Sequence, residues 1–504
     1  MVTVTEVLLE EKRQTQLISI ARRGYTIGTM KIHTREEIYH NRYVNSVEPR
    51  IPVVNYLSNN RYSLMITSDG DGFSSFKNRM LYRFRRDVYE NTGNYIYIKD
   101  RDRGNYFSAA YHPTKIEPLE YQVVFSHHQA EFKRTDNDIS THTIVTLSPD
   151  YNLEIRKVTL TNLGKKSKQI ELTSYLEVVG DSYMADLSHP AFNKLFIESE
   201  FLEESSIFLS KRRGNSKEEN PYIFHMVKTE KEFLKGLEYE NDRLKFIGRN
   251  NTKENPQAVV KSLPLSNQSG FSNDPIMSLR VNISLKEGET ACVSFITGIC
   301  QSKEEAVKIS DEFNIPYGID DTIERFRLQS DIELKYLEIT KPQLNAFQDL
   351  FSPIFYPSYF YRGPEENIRR NFKNQNFLWK FGISGDNPIM LLRVQSMKDA
   401  GMIRDVLKAY EYLRINQVMI DLIILSEAKH GYLQELNDFI NDLTSSLRIY
   451  DGENNKPSLF VLHSYQMIPS EIDLIYTVAR IVFTRRTGIY FRNIKANLNE
   501  FMED

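Results

Sequence analysis

Ser68 to Asp87 reads SDGDGFSSFKNRMLYRFRRD, a stretch dense in groups that could do chemistry. Gly70 and Gly72 bracket Asp71 beside Asp69, and Arg79, Arg83, Arg85, Arg86 and Asp87 follow among Phe73, Phe76, Tyr82 and Phe84. Planar charged groups beside aromatic faces suit sugars, whose hydroxyls meet carboxylate or guanidinium and whose C–H faces meet rings. Asp69, Asp71, Phe73, Phe76, Arg79, Arg83, Arg85 and Asp87 are therefore the candidates for ligand contact. The same residues also fit a β-hairpin with a Gly-rich turn and surface Arg–Asp pairs, and residue types alone favour that plainer reading.

A second polar loop, LWKFGISGD, holds Trp379, Gly382, Ser384, Gly385 and Asp386. No helix is expected to begin there, so a tight domain-junction turn is favoured over an anion cradle. His112, His127, His128 and His142 show no HExxH spacing and no Cys or carboxylate cluster, so no metal is expected. GxSxG, GxxxxGK[ST] and GxGxxG are absent, and no cofactor is expected. Asp100-Arg101-Asp102 spells DxD but falls at a hairpin after an antiparallel strand. Ser426, Glu427, His463 and Ser464 fall at the carboxyl ends of predicted parallel strands, where structural roles are favoured.

The elements that must position these groups change character along the chain. From about 55 to 300 the period is two: Ile170, Leu172, Ser174, Leu176 and Val178 alternate with polar partners, as do Met277, Leu279, Val281, Ile283 and Leu285. At least ten strands separated by turn signals make a large antiparallel sandwich the natural architecture. Asp321 with Glu324 predicts a capping box, followed by an amphipathic helix toward 350. Beyond Pro388, apolar runs 389–394, 419–425 and 458–463 alternate with three helical patterns, the last through Ile472, Ile475, Ala479 and Val482. That is a small α/β layer with three strands. The expected division is an arm over 1–50, the sandwich over 51–305, a helical linker over 306–350 and the α/β domain over 351–504.

Composition narrows the function class. Lys plus Arg number 64 against 67 Asp plus Glu, a net charge of −3, too near neutral for an electrostatic nucleic-acid binder. Two cysteines, Cys292 and Cys300, exclude a disulfide scaffold and fit a reducing compartment. No run reaches the roughly 18 apolar residues of a membrane span, and the first residues lack a signal-peptide pattern, so a soluble cytoplasmic chain is expected.

The matching stretches of a known family run in order: LSNNRYSLMITSDGDGFSSFKNRMLYRFRRD from Leu57, GNYIYIKDRDRGNYFSAAYHP from Gly93, IELTSYLEVV from Ile170, SHPAFNKLFIESE from Ser188, DRLKFIGR from Asp242 and LWKFGISGDNPIMLLRV from Leu378. MIDLIILSE from Met419 and YTVARIVF from Tyr476 extend the match. On these residues the chain resembles the supersandwich-containing proteins of glycoside hydrolase family 94, the cyclic β-1,2-glucan synthases and 1,2-β-oligoglucan phosphorylases. The opening TEVLLEEK is similar to the end of the domain that precedes this block in the synthases. Phe76 and Phe84 stand where the family usually has Trp, which removes aromatic surface and an indole N–H.

The resemblance implies a mixed fold: an antiparallel β-supersandwich, a helical connector and a small C-terminal α/β domain. In the family, an (α/α)₆ barrel carries the general acid and phosphate pocket. Twelve helices with their loops need roughly 190 residues at a minimum, and 320–504 shows about four helices and three strands instead. No catalytic residue is therefore assigned, and whether the chain acts as an enzyme stays open. The implied role is to bind β-glucan, β-1,2-linked by the resemblance, and to dock on a catalytic barrel of the same or a neighbouring chain, itself associated with an inner-membrane synthase. The alternatives are a purely structural module or a complete phosphorylase or glycosyltransferase.

Overall fold

Alternation along 139–147 and 153–162 turns one face of each strand inward, and two antiparallel sheets meet on those faces. In the computed structural model the described residues run from 41 to 488, without 48, 50, 88, 215–219, 232, 235, 316, 428–432 and 449–457. One sheet has ten strands. Its order is Arg42–Val44, Glu120–Phe125, Gln129–Asp136, Ile139–Leu147, Leu153–Asn162, Thr290–Cys300, Tyr222–Thr229, Ile207–Arg212, Ile197–Leu202 and Gly270–Phe271.

The other sheet has nine strands. Its path is Glu238–Asp242, Pro275–Leu285, Lys168–Asp181, Arg79–Tyr82, Gly72–Phe76, Tyr62–Thr67 and Val54–Ser58. Asn94–Asp100 also pairs with Lys168–Asp181 and carries Tyr106–Ser108 on its far side. Val145, Leu147, Val158, Leu160 and Phe295 share one buried core with Leu172, Leu176, Met277, Leu279 and Val281. A second core forms where Ala306, Ile309 and Phe313 cover Ile155, Phe224 and Ile296.

The mixed architecture matches the expectation, with differences in detail. Arg42–Val44 pairs with Glu120–Phe125, Tyr43 opposite Val124, so part of the stretch read as an arm is an edge strand. The opening TEVLLEEK lies outside the described residues. The helix expected from an Asp321–Glu324 capping box begins earlier, at Gly318, with Tyr317 as its N-cap; Asp321 instead sits in the first turn and pairs with Arg325. A carboxylate there is stabilised by the exposed N–H groups of that turn.

The connecting helices cover the outer edge of the nine-stranded sheet. On the strand Val54–Ser58, the Tyr56 N–H donates to Gln348 Oε1 at 3.2 Å, and Gln348 Nε2 donates back to the Tyr56 carbonyl at 3.0 Å. The Gln348 amide thus makes the two bonds a neighbouring strand would make. Tyr56 stacks on Phe351 at 4.6 Å between centroids, and Ser352 Oγ donates to the Pro52 carbonyl.

The C-terminal sheet is parallel and has four strands, ordered Leu459–His463, Asp421–Ser426, Ile389–Val394 and Ala479–Phe483. The third expected helix is shorter than its pattern: it ends at Val478, and Ala479 and Val482 belong to the fourth strand. ARIVF is rich in β-branched residues and pairs with Ile389–Val394, which wins over a continued helical period. Among the described residues no helix is long and apolar enough to cross a membrane.

Candidate functional site

The hairpin Tyr62–Thr67 to Gly72–Phe76 closes through the DGDG turn. The Thr67 N–H donates to the Asp71 carbonyl at 2.8 Å and the Gly70 N–H to the Thr67 carbonyl at 3.0 Å. Both glycines are required by shape. Gly70 has φ +105°, and a Cβ there would fall 2.5 Å from Ala110 Cβ; at Gly72 it would fall 2.0 Å from the Met65 carbonyl oxygen.

The turn is pinned from outside by the segment before Pro113. The His112 N–H donates to the Asp69 carbonyl at 2.7 Å, and its Nδ1 lies 3.2 Å from Asp71 Oδ1 and 3.8 Å from Asp69 Oδ2. Tyr95 OH donates to Asp71 Oδ1 at 2.6 Å, and Thr67 Oγ1 donates to Asp69. All three ionisable groups are buried. Burial opposes the imidazolium, but the Asp71 hydrogen bond and the charges of both carboxylates outweigh it and hold His112 above its ordinary range. Burial raises Asp69, only partly offset by His112. Ligand atoms of Asp69, Asp71 and His112 lie within 4.8 Å of one another, so they could hold a cation in place of the imidazole proton. Beside them the free volume is about 20 Å³, room for a water but far below the roughly 300–1,000 Å³ of ligand sites.

Arg83 is also committed. It donates from Nε and Nη2 to Asp186 at 3.2 and 3.0 Å and from Nη1 to Glu177 at 2.8 Å. Arg85 Nη1 reaches Asp186 at 2.5 Å, and Arg243, Lys253 and Tyr175 OH converge on Glu177. Burial alone would raise the Glu177 pKa; Lys253, Arg83 and Arg243 overcome it and bring the carboxyl down to about 2.

Phe73 and Phe84 pack with Phe355 and are buried, and Phe76 is buried beneath the Lys77 ammonium. Arg79 and Arg85 are half-buried and Asp87 is exposed. The predicted set thus divides: Asp69, Asp71, Phe73, Phe76 and Arg83 form an interior scaffold, the half-buried Arg79 and Arg85 donate to the Gly180 carbonyl and to Asp186, and Asp87 is exposed.

In the second loop, Gly382 (φ +74°) caps a short 3₁₀ helix, Gln375–Phe381. Gln375 Nε2 donates to the Ser384 carbonyl at 2.9 Å and to Asp386 at 3.3 Å, and a Cβ on Gly385 would fall 2.8 Å from Gln375 Cγ. Leu378 and Ile383 face the core of the α/β layer, leaving Trp379 63% exposed. Ser426 stands opposite His463 in the parallel register, and Glu427 accepts from Arg393 at 2.7 Å.

Three features were not legible from motif spacing: His112 beside the aspartates, the carboxylates Glu177 and Asp186, and a concavity on the ten-stranded sheet. That concavity, open to solvent, spans about 910 Å³ between Lys157, Lys228, Ser294 and Tyr317, with Tyr317 76% exposed. Thr290, Cys292 and Ser294 alternate along its floor strand, a period that marks a polar face but carries no sign of curvature.

Two large antiparallel sheets with a helical cover and a glycine-tight DGDG hairpin define a supersandwich. Residues 37–316 match the family described as glycosyl hydrolase 94, supersandwich domain, and the chain belongs to it. It is 28% identical over 435 residues to the cyclic beta-(1,2)-glucan synthase NdvB of Rhizobium meliloti (strain 1021), which covers 86% of this chain and 15% of that protein. Two relatives come from Paenibacillus borealis. The 3-O-beta-D-glucopyranosyl-beta-D-glucuronide phosphorylase is 28% identical over 51% of this chain and 32% of its own length. Solabiose phosphorylase is 21% identical over 60% of this chain and 38% of its own. The chain therefore spans a minor part of each of these relatives.

Proposed function

We propose that this chain is a carbohydrate-binding, non-catalytic portion of a glucan synthase or family 94 phosphorylase system, positioning β-glucan and docking on a catalytic domain. The observation that carries the reading is the single alignment of 86% of the chain with a glucan synthase of which it spans 15%. Two surfaces support glycan contact. Asp87 is exposed after the hairpin, and the Tyr317 concavity has the size of an oligosaccharide site with amine, hydroxyl and phenol groups around it. A cytoplasmic location belongs to the same proposal.

The burial of Asp69, Asp71 and Arg83 favours a second reading, a structural module without glycan affinity. Titration of β-1,2-glucan into the chain, followed by melting temperature, separates the two, because a ligand that binds only the folded state raises stability. Glycan binding predicts a rise that Asp87→Ala or Tyr317→Ala diminishes and so places. No rise with parent protein at millimolar glucan leaves the structural reading. Phosphate-dependent or hydrolytic turnover of the glucan by the purified chain would overturn the non-catalytic assignment.

A further inference from the structure

The two aspartates of the DGDG turn meet a histidine from another segment, and all three side chains are of types that ligate metals. Asp69 and Asp71 flank Gly70, and His112 follows the strand Tyr106–Ser108. His112 Nδ1 lies 3.2 Å from Asp71 Oδ1 and 3.8 Å from Asp69 Oδ2. Ligand atoms held roughly 2.0–2.2 Å from one ion stand no more than about 4.4 Å apart, so both spans fit a shared ion. The whole set lies within 4.8 Å, which leaves little movement for binding to supply.

Each carboxylate is oriented by an outer partner. Thr67 Oγ1 donates to Asp69 Oδ1 and Tyr95 OH to Asp71 Oδ1, the kind of support that metal-binding carboxylates receive. A separate observation points to a ligand. The cavity of about 20 Å³ beside the cluster has Gly70, Tyr95 and His112 on its wall together with Asn94 and Thr143. Asn94 and Thr143 are 1% and 3% exposed, and Asn94 Oδ1 and Thr143 Oγ1 have no hydrogen-bond partner among the described residues. A water completing an ion's coordination has room there and two buried oxygens to bond. Arg156, on the same wall, is neutralised by Glu154 at 2.9 Å. Two carboxylates and a neutral imidazole carry two negative charges, which a divalent cation balances.

We propose that Asp69, Asp71 and His112 form a structural site for a divalent transition-metal ion of the zinc class, with a water in the remaining position. An imidazole nitrogen beside two carboxylates favours zinc or cobalt over calcium and magnesium, which take oxygen ligands. The ion ties the hairpin turn to the segment before Pro113, and its burial suits holding the fold rather than reacting with a substrate. The proposal is independent of glycan binding, because it uses none of the surfaces that reading rests on.

Zinc chloride titrated into the full chain, after treatment with a chelator and dialysis, tests it by calorimetry and melting temperature, with magnesium and calcium chloride as controls. Zinc is expected to raise the melting temperature above both controls, and Asp71→Asn and His112→Asn each to weaken zinc binding by at least about tenfold. Either variant also removes a contact that holds the turn, so the site is read in the parent as well. With the ten histidines isotopically labelled, substoichiometric cobalt is expected to broaden the NMR signals of the His112 imidazole before those of any other. No zinc binding, a shift matched by magnesium or calcium, unchanged affinity in both variants, or broadening that begins at the His127–His128 pair would each overturn the proposal.

Discussion

Arg83 and Asp186 face each other as a two-pronged pair, Nε to Oδ2 at 3.2 Å and Nη2 to Oδ1 at 3.0 Å. The bond ties the end of the DGDG hairpin to the helix Tyr183–Ser188. With Nη1 on Glu177, both ends of the guanidinium are occupied. A side chain held in this way fixes the position of Arg85 and Arg86, which are half-buried, and of Asp87, which is exposed.

Replacing Arg83 by Ala is expected to cost about 3 kcal/mol, the lower end of what breaking a buried ion pair costs. Arg85 still serves Asp186, and Arg243 and Lys253 still serve Glu177, which moderates the loss. The urea midpoint measures it. An unchanged midpoint with lost glucan affinity would move Arg83 from scaffold to ligand contact.

Glu177 is expected to contribute to acid stability. Its folded pKa of about 2 lies below the ordinary 4.5, so its contribution is present above pH 4.5 and lost as pH falls toward 2. Urea unfolding across that window is expected to show a steeper decline in the parent than in Glu177→Gln. Parallel profiles would exclude Glu177 as the source.

His112 acts with the opposite sign. Its folded pKa is raised, so its contribution is full below the ordinary 6.5 and is lost as pH rises through the higher folded value. An NMR titration of the imidazole is expected to show a midpoint above 6.5, and His112→Asn to lose stability at pH 6 more than at pH 9. A midpoint at or below 6.5 would mean that the two aspartates do not hold the proton there.

Gly72→Ala places a methyl 2.0 Å from the Met65 carbonyl oxygen, a contact that only backbone movement relieves. A loss of at least about 3 kcal/mol, or failure to fold, is expected. At Gly70, adding Ala110→Gly to Gly70→Ala removes the 2.5 Å clash but leaves φ at +105°, so the rescue is expected to be partial. Full recovery in the double variant would show that contact, not conformation, selects glycine. Circular dichroism melts distinguish these outcomes.

The elements that bury one face were legible because alternation is periodic: Ile139–Leu147 is a strand over the residues its pattern marks. The DGDG turn was legible from its glycines. Glu154 was not. A charge on a strand reads as solvent-facing, yet Glu154 is inaccessible and accepts from Ser74, Tyr82, Asn94 and Arg156. Its partners come from separate strands, and no local period encodes their meeting. His112 beside Asp71 escaped for the same reason. Ala479 and Val482 misled because a five-residue strand can continue the spacing of the helix before it.

The side-chain amide of Gln348 imitates a missing strand along Tyr56. Without the helices that carry it, Val54–Ser58 would present free N–H and C=O groups on an apolar rim, an invitation for copies to zip together edge to edge. Cutting the chain between the sandwich and the helices after it is therefore expected to favour edge-to-edge association. Gln348 works as a molecular stopper, and whatever division evolution or an experimenter makes of this polypeptide has to leave it in place.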